Sequence, residues 1–341
     1  MRSLMLLPSM AVEKETMHSK KLQAVLRGFV ASTLLVASLA NAAFPDRPIV
    51  AISPYAAAGA NDFLTRLMAQ QMSEVLKTSI VVENRAGANG IVGAASVAKS
   101  APDGYTMLMG NSATHGTNPT LYKSLPYDPE KDFAPVGMVG SVPIVLAVDA
   151  SLGVNNLAEL IAYGKEHPGK LSFGSSGLGG TGHLCGEMFK TATRLDMVHV
   201  PYKGDAPAVV AAMGGQVSMA FVGVASATPQ VASGKIKILA VASATRSGSL
   251  PDVPTMTEAG FKDIQCAQWY ALFTRAGTPK TIIDTLNHAI KIALTRDDVR
   301  KSMATQGADP IYMTTDELDR FYKSEIKRFA AIIQSLDIKA E

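Results

Sequence analysis

The chain has 341 residues, of which 47% are hydrophobic, and a formal net charge of +3. The first 42 residues carry three more basic than acidic side chains, so the remaining 299 residues are formally neutral. That neutrality excludes the basic surface expected of a nucleic-acid-binding protein. The length and hydrophobic content suit two domains of about 100 to 150 residues each.

The chain begins with the pattern of a secretory signal peptide. Basic residues precede the apolar run from Phe29 to Leu39, and the small residues Ala40-Asn41-Ala42 follow it. This run is shorter than the roughly 20 residues that a membrane-spanning helix needs. We therefore predict a signal peptide over 1–42, cleaved near Ala42, and export of the mature protein. Met17 gives a shorter and more conventional leader than Met1.

Short apolar strands alternate with longer amphipathic stretches after the leader. In chain order the pattern predicts strand 49–53, helix 62–76, strand 80–83, helix 90–99, strand 105–110, strand 142–148, helix 157–166, strand 171–174, helix 182–191, strand 197–202, helix 206–214, strand 219–222 and strand 236–242. This βαβ rhythm is typical of parallel sheets covered by helices. Such sheets bind ligands at the carboxyl ends of their strands.

Two amphipathic helices are predicted near the end of the chain. Thr278-Pro279 supplies an N-cap and a first-turn proline for the stretch 279–294, and Thr315 is the predicted cap of a second stretch that ends at Leu336. Apolar residues recur at helical spacing in both stretches. We assign these apolar stripes to the hydrophobic core.

A glycine-serine turn over 173–183 ends one predicted strand and begins a helix. Free backbone N–H groups and hydroxyls converge in such a turn, and glycine lets a ligand approach the main chain closely. Similar junctions occur at 53–62 and 83–90, and the polar loop 111–115 follows another strand. We therefore expect these loops to line one shared cleft that binds an anion.

Known enzyme signatures fail in the glycine-serine turn. Glycines at 177, 179 and 182 have the dinucleotide-binding spacing, but no acidic residue ends the next strand. A P-loop would need lysine in place of Gly180, and a nucleophile elbow would need glycine in place of Leu178. Ser176 and His183 leave a hydrolytic alternative, although no acidic residue is identified to orient the histidine. We expect no enzymatic activity.

The remaining polar residues allow more than one interpretation. The two cysteines and six histidines show no metal-ligand spacing, and neither a metal nor a cofactor is expected. Cys185 and Cys266 either pair in an oxidising compartment or stay separate as buried thiols. His199 lies between two valines, as a hydrogen-bonded strand histidine would. The segment 202–204, Tyr-Lys-Gly, is either part of the cleft or a solvated turn.

Several segments resemble the extracytoplasmic solute-binding receptors of the tripartite tricarboxylate transporter family, also called Bug receptors. The resemblance extends from Phe44 to the last helix and is carried by VENRAGANG at 82–90, LPYDPEKDF at 125–133, FGSSG at 173–177, HVPYKG at 199–204, GGQV at 214–217 and LPDVPT at 250–255. It implies an α/β fold of the type II periplasmic binding protein kind. Two doubly wound lobes would be joined by two crossings, near Val145 and Trp269, with a ligand cleft between them. Lobe 1 would comprise 43–145 plus 268–341, and lobe 2 would comprise 146–267.

The resemblance also implies a function. A monomeric periplasmic receptor would close over a small organic carboxylate and deliver it to the membrane permease subunits of a tripartite tricarboxylate transporter. A ligand-dependent signalling receptor for a sensor partner is the alternative, and a periplasmic hydrolase is a third interpretation. The implied ligand contacts are Tyr55, Ala58, Gly59, Asp62 and Asn89 from the first lobe and Ser175, Ser176, Thr181, His183 and Tyr202 from the second.

Four further residues complete the predicted site. Ser112, Thr114 and His115 are included because they follow a predicted strand and have the polar, small character of the other loops. Val222 is included because it stands where the family commonly has an aspartate that contacts an ammonium or hydroxyl group. The loss of that aspartate favours a plain or aromatic mono- or dicarboxylate over an amino acid. The first loop, 57–60, also lacks the family's proline and paired glycines, which should stiffen or narrow the cradle.

Overall fold

The computed structural model describes residues 44–57, 59–336 and 338. The predicted signal peptide lies outside the described residues, and so does Ala58 of the first loop. One compact unit begins at Arg47 and includes all of the strands and helices described below. Within these described ranges, no helix combines the length and the apolar character needed to cross a membrane.

The first group of strands is parallel, and helices connect them. Its elements, in chain order, are β1 (Ile49–Ser53), α1 (Ala60–Leu76), β2 (Ile80–Asn84), α2 (Ile91–Ala98), β3 (Thr106–Asn111) and the short α3 (Asn118–Leu121). β1 lies in the middle, with β2 on one side and β3 on the other. The predicted alternation of strands and helices is confirmed here.

The second group repeats this plan after the long strand β4 (Phe133–Asp149). Its elements, in chain order, are α4 (Leu157–Glu166), β5 (Leu171–Ser175), α5 (Thr181–Thr193), β6 (Met197–Pro201), α6 (Asp205–Met213), β7 (Met219–Gly223), α7 (Val224–Val231) and β8 (Ile236–Val241). β5 lies between β6 and β7, and all three are parallel. In both groups, parallel strands are therefore followed along the chain by helices.

β4 belongs to both groups. From Phe133 to Pro143 it pairs antiparallel with β9 (Ala267–Arg275), which also pairs with β3. From Ile144 onward it pairs antiparallel with β7 and β8. One continuous strand thus ties both groups into a single ten-stranded sheet. The predicted crossing residues Val145 and Trp269 lie on β4 and β9.

The end of the chain packs onto the first group. Its elements, in chain order, are α8 (Lys280–Thr295), α9 (Asp297–Thr305), β10 (Asp309–Pro310) and α10 (Thr315–Ser335). Thr314 caps α10 instead of the predicted Thr315, because its hydroxyl accepts from the Glu317 N–H while the Glu317 carboxylate accepts from the Thr314 N–H. The predicted cap Thr278 instead donates its hydroxyl to the Arg275 carbonyl.

Each group of strands has its own hydrophobic core. Phe173 and Phe221 lie in the core of the second group, and Phe273 lies in the core of the first. Cys185 and Cys266 are buried in the core of the second group as free thiols. Burial raises the pKa of the Cys185 thiol. Of the two interpretations left open for the cysteines, the structure shows unpaired buried thiols, and the Cys185 thiol lies within hydrogen-bonding reach of Cys266.

Gly182 sets the distance between α5 and β7. A Cβ added at this position would stand 2.1 Å from the backbone carbonyl oxygen of Phe221, so the helix would have to move. We expect Gly182→Ala to lower the free energy of unfolding by about 1–3 kcal/mol, measured by urea denaturation. Gly248→Ala is the matched control, since nothing lies within 4 Å of its added Cβ. Equal losses in the two variants would contradict this account.

Candidate functional site

The predicted contacts lie mainly at the carboxyl ends of the parallel strands. These ends are Ser53, Asn84 and Asn111 in the first group and Ser175, Pro201 and Gly223 in the second. Ser53 is in register with Asn84, and Ser175 is in register with Pro201. The loops that follow each set of strands therefore emerge at the same edge, as in other doubly wound sheets.

One buried hydrogen bond joins the loops of the two groups. Ser112 follows β3, and its Oγ lies 3.0 Å from Oγ1 of Thr181, the first residue of α5. Both side chains are almost completely buried. The structure therefore brings together two of the predicted contacts from opposite halves of the chain.

Further hydrogen bonds extend from this contact to the first loop. Asn111 is the neighbour of Ser112, and its Nδ2 donates to the Tyr55 Oη at 3.1 Å. The Oδ1 of Asn111 accepts from the backbone N–H of Thr114 at 3.0 Å. Burial raises the pKa of the Tyr55 phenol, so this group stays protonated and able to donate. Tyr55, Asn111, Ser112 and Thr181 thus form one line across both groups, in which two hydrogen bonds are connected by the peptide bond between Asn111 and Ser112.

Two helices begin beside this line without a side-chain cap. α1 starts after Gly59 and α5 starts after Gly180, and both glycines have extended backbone. Neither glycine has a side chain that could accept from the N–H groups of the first turn, and the helix dipole favours negative charge at this end. Tyr55 lies in the loop before α1, and Thr181 opens α5. The two helix N-termini can therefore offer donors to one anion.

Two predicted contacts in the first group hold the loops in place. The Asp62 carboxylate accepts from the Arg66 Nε at 3.0 Å and from the Asn84 Nδ2 at 2.7 Å. The side chain of Asn89 donates to the Asn118 Oδ1 at 2.9 Å, and Asn118 donates back to the Asn89 carbonyl at 3.1 Å. These side chains are engaged within the protein and connect consecutive loops of the first group.

His115 lies in the aromatic core of the first group. Its ring stacks on Phe273, with the ring centroids 3.9 Å apart, and its Nδ1 lies 3.0 Å from the Thr114 Oγ1. The buried Nε2 has no hydrogen-bond partner among the described residues. Burial lowers the pKa of His115 to about 3, which keeps the imidazole neutral. These are the surroundings of a core residue rather than those of a ligand contact.

Polar side chains lie beneath the glycine-serine turn of the second group. The Ser175 Oγ lies 2.7 Å from the His199 Nε2, and the Gly179 N–H donates to the His183 Nδ1 at 3.0 Å. The two imidazoles stack with their centroids 3.9 Å apart. Burial lowers the pKa of His183 to about 4 and the pKa of His199 to about 3. The two neutral rings thus hold the glycine-serine turn in place through their contacts with Ser175 and Gly179.

Ser176 and His183, which the hydrolytic alternative would require as a pair, do not contact each other. His183 accepts the Gly179 N–H instead, and the Ser176 hydroxyl lies within hydrogen-bonding reach of the Asp205 carboxylate. Ser175 does contact a histidine, but its side chain is fully buried and has no access to a substrate carbonyl. The geometry therefore gives the hydrolase interpretation no nucleophile.

The last two predicted contacts have different surroundings. Tyr202 is half-buried, its ring packs against Gly174, and its N–H donates to the Ser175 carbonyl at 3.0 Å. Val222 is fully buried in β7, opposite Val145 of β4. Tyr202 thus borders the glycine-serine turn, whereas Val222 packs within the sheet.

Sequence reasoning missed Asp205 and Tyr270. The Asp205 carboxylate accepts from the N–H of Gly223, the residue after Val222, at 3.0 Å. Burial raises the pKa of Tyr270, and the nearby Asp205 carboxylate raises it further. An acidic residue directly after the turn at 202–204 was the available signal for Asp205. Tyr270 lies within β9, a strand that the sequence pattern did not predict.

Two further observations concern possible metal ligands and a surface depression outside these loops. No group of three histidine, cysteine or acidic side chains is arranged to hold a metal ion in the described part of the chain. A surface depression of about 690 Å³ lies elsewhere, lined by residues between Pro119 and Asp132 together with Ile326. It shares no lining residue with the loops described above.

Comparison with known proteins decides the family. The model described as "Tripartite tricarboxylate transporter family receptor" matches residues 64–338. The chain belongs to this receptor family. This receptor is 36% identical to the protein BugT of Bordetella pertussis, over 95% of this chain and 99% of that protein.

Solved structures of related receptors have the same fold. A Rhodopseudomonas palustris protein with adipate is 35% identical, with a TM-score of 0.81 over 87% of this receptor and 99% of that chain. MatC of the same organism, with bound malate, is 32% identical, with a TM-score of 0.76 over 85% of this receptor and 100% of that chain. The predicted family and the predicted periplasmic binding protein fold are confirmed. The relatives are solute-binding receptors, not enzymes.

The buried histidines make the stability of the receptor depend on pH. The pKa of His183 is about 4 and that of His199 is about 3, both below the ordinary value of about 6.5. At pH values between the folded pKa of each histidine and about 6.5, the unfolded chain therefore binds more protons than the folded receptor. We expect the free energy of unfolding to fall as the pH decreases from about 7 to about 4, measured by urea denaturation.

His199→Gln tests the source of this pH dependence. The amide keeps a hydrogen-bonding group beside Ser175 but does not titrate, so stability should fall less steeply with decreasing pH. His288→Gln, which removes an exposed histidine of α8, is the control and should retain the original slope. Identical slopes in the two variants would show that His199 does not contribute.

Proposed function

We propose that the mature receptor captures a small organic carboxylate in the periplasm and delivers it to the permease subunits of a tripartite tricarboxylate transporter. The observation that carries the proposal is the hydrogen bond between Ser112 and Thr181, because it joins the loops of both groups of parallel strands. Family membership supports the transporter partner. The adipate and malate in two related structures support a carboxylate ligand.

The proposed grip on the ligand uses donors rather than a cation. The first-turn N–H groups of α1 and α5 would face the carboxylate, together with the hydroxyls of Tyr55 and Ser176. Hydrogen bonds from such groups to an ionised carboxylate are short and about twice as strong as bonds between neutral groups. Asp62 and Asn89 would keep the first loops in place, and His183 would support the glycine-serine turn.

The proposed receptor opens and closes around its ligand. Lobe 1, 43–145 plus 268–341, and lobe 2, 146–267, would follow the two groups of strands. A net contribution of about 0.5–1.5 kcal/mol is typical of one hydrogen bond such as that between Ser112 and Thr181. This contribution is small, so ligand binding can decide whether the lobes stay together. We further propose a monomer, exported with its leader cleaved near Ala42.

Calorimetry with a panel of small acids tests the proposed ligand class. The panel contains succinate, malate, adipate and benzoate, each paired with its neutral amide. We expect at least one acid to bind, at least about tenfold more tightly than its amide, because the donors gain most from a full negative charge. Equal binding of an acid and its amide, or binding of an unrelated ligand class alone, would refute the proposal.

A double-mutant cycle tests whether the bond between the lobes matters for binding. Ser112→Ala and Thr181→Val each remove one side of it, and each should weaken the binding of the best acid by about three- to tenfold. The double variant should lose little more than the more severe single variant, because the bond is already absent. Ser324→Ala on the exposed side of α10 is the control. Fully additive losses would show that the two hydroxyls act independently.

A further inference from the structure

One acidic side chain stands among the loops of the proposed cleft. Asp205 is the first residue of α6, and it is half-buried. Its Oδ2 accepts from the Gly223 N–H at 3.0 Å, and the Ser176 hydroxyl lies within reach. Tyr270 of β9 is close enough to Asp205 for the carboxylate to raise the pKa of its phenol. The carboxylate therefore lies beside groups from both halves of the receptor.

Burial raises the pKa of the Asp205 carboxyl, and no cationic side chain of the described residues offsets that effect. Within 44–57, 59–336 and 338, no lysine or arginine forms an ion pair with it. The Tyr270 hydroxyl donates to Gln268 rather than to this carboxylate. A carboxylate has about four acceptor positions, and the Gly223 N–H occupies one of them. Acceptor positions therefore remain for a donor that a ligand supplies.

A negative charge in a site for anions has a definite consequence for selectivity. A plain hydrocarbon segment of the ligand beside Asp205 would leave its remaining acceptors without partners, and a second ligand carboxylate there would be repelled. A hydroxyl or ammonium group would instead donate a hydrogen bond to it. A site that discriminates in this way combines attraction for one ligand with repulsion of another.

We propose that Asp205 makes the receptor select small carboxylates that carry a hydroxyl or ammonium donor over their plain counterparts. The inference rests on the proposed function and names the ligand class more narrowly. The inference is opposite to the expectation from the sequence. There, the absence of an aspartate at Val222 favoured a plain or aromatic carboxylate over an amino acid. Asp205 places a carboxylate at Gly223, directly beside Val222, although it comes from a different element.

The test compares ligands that differ by one donor. Succinate, malate and aspartate share a four-carbon dicarboxylate skeleton and carry hydrogen, hydroxyl and ammonium at C2. If calorimetry favours another chain length, the plain acid and the 2-hydroxy acid of that length replace them. We expect the receptor to bind a donor-bearing acid at least about tenfold more tightly than the plain acid.

Two substitutions assign this preference to Asp205. Asp205→Asn removes the charge with little change of shape, and Asp205→Ser keeps a short polar side chain suited to the first turn of a helix. In both variants, the affinities for the donor-bearing acid and the plain acid should differ by no more than about threefold. The change should come mainly from tighter binding of the plain acid. Asp252→Asn removes an exposed acidic residue and should leave the ratio unchanged.

The outcomes separate this inference from the proposed function. Equal affinities for plain and donor-bearing acids in the unmodified receptor would overturn the selection, with carboxylate binding intact. An unchanged ratio in both Asp205 variants would also overturn it. If no acid binds at all, the inference and the proposed function fail together. The ratio in the unmodified receptor is decisive even if a variant does not fold.

Discussion

The architecture of the receptor depends on one strand that changes its partners. β4 pairs with β9 as far as Pro143 and with β7 and β8 from Ile144 onward. Backbone hydrogen bonds along this strand connect both groups of parallel strands into one sheet. Because β4 joins the two groups, the loops at their strand ends can meet. The contact between Ser112 and Thr181 is the result.

Recognition as we propose it would depend on dipoles and hydrogen bonds rather than on a positive charge. Uncapped helix N-termini and protonated hydroxyls favour an anion, and the neutral imidazoles of His183 and His199 support the turn that presents them. Asp205 adds a negative charge beside these donors. Such a site can attract one carboxylate while it discriminates among the groups that the ligand carries next to it.

Local sequence pattern predicted most strands and helices but missed those that depend on pairing. β4 was predicted from 142 and begins at Phe133, because its first part contains Pro135 and Gly137 and gains strand structure by pairing with β9. β9 itself was not predicted, since an apolar segment between irregular loops has no alternation that identifies it. The short helices α3, α7 and α9 were missed as well. The predicted cap of α10, Thr315, was wrong by one residue, because Thr314 caps the helix.

The sequence by itself determined the alternation of strands and helices, the family, and the turns at strand ends, because these features depend on residues close together in the chain. The tertiary structure alone decided which side chains meet in the cleft. It directed His115 into the core, paired Ser112 with Thr181, and brought Asp205 to Gly223. Such contacts depend on how whole strands pack against one another, and local patterns of polar and apolar residues do not encode those distances.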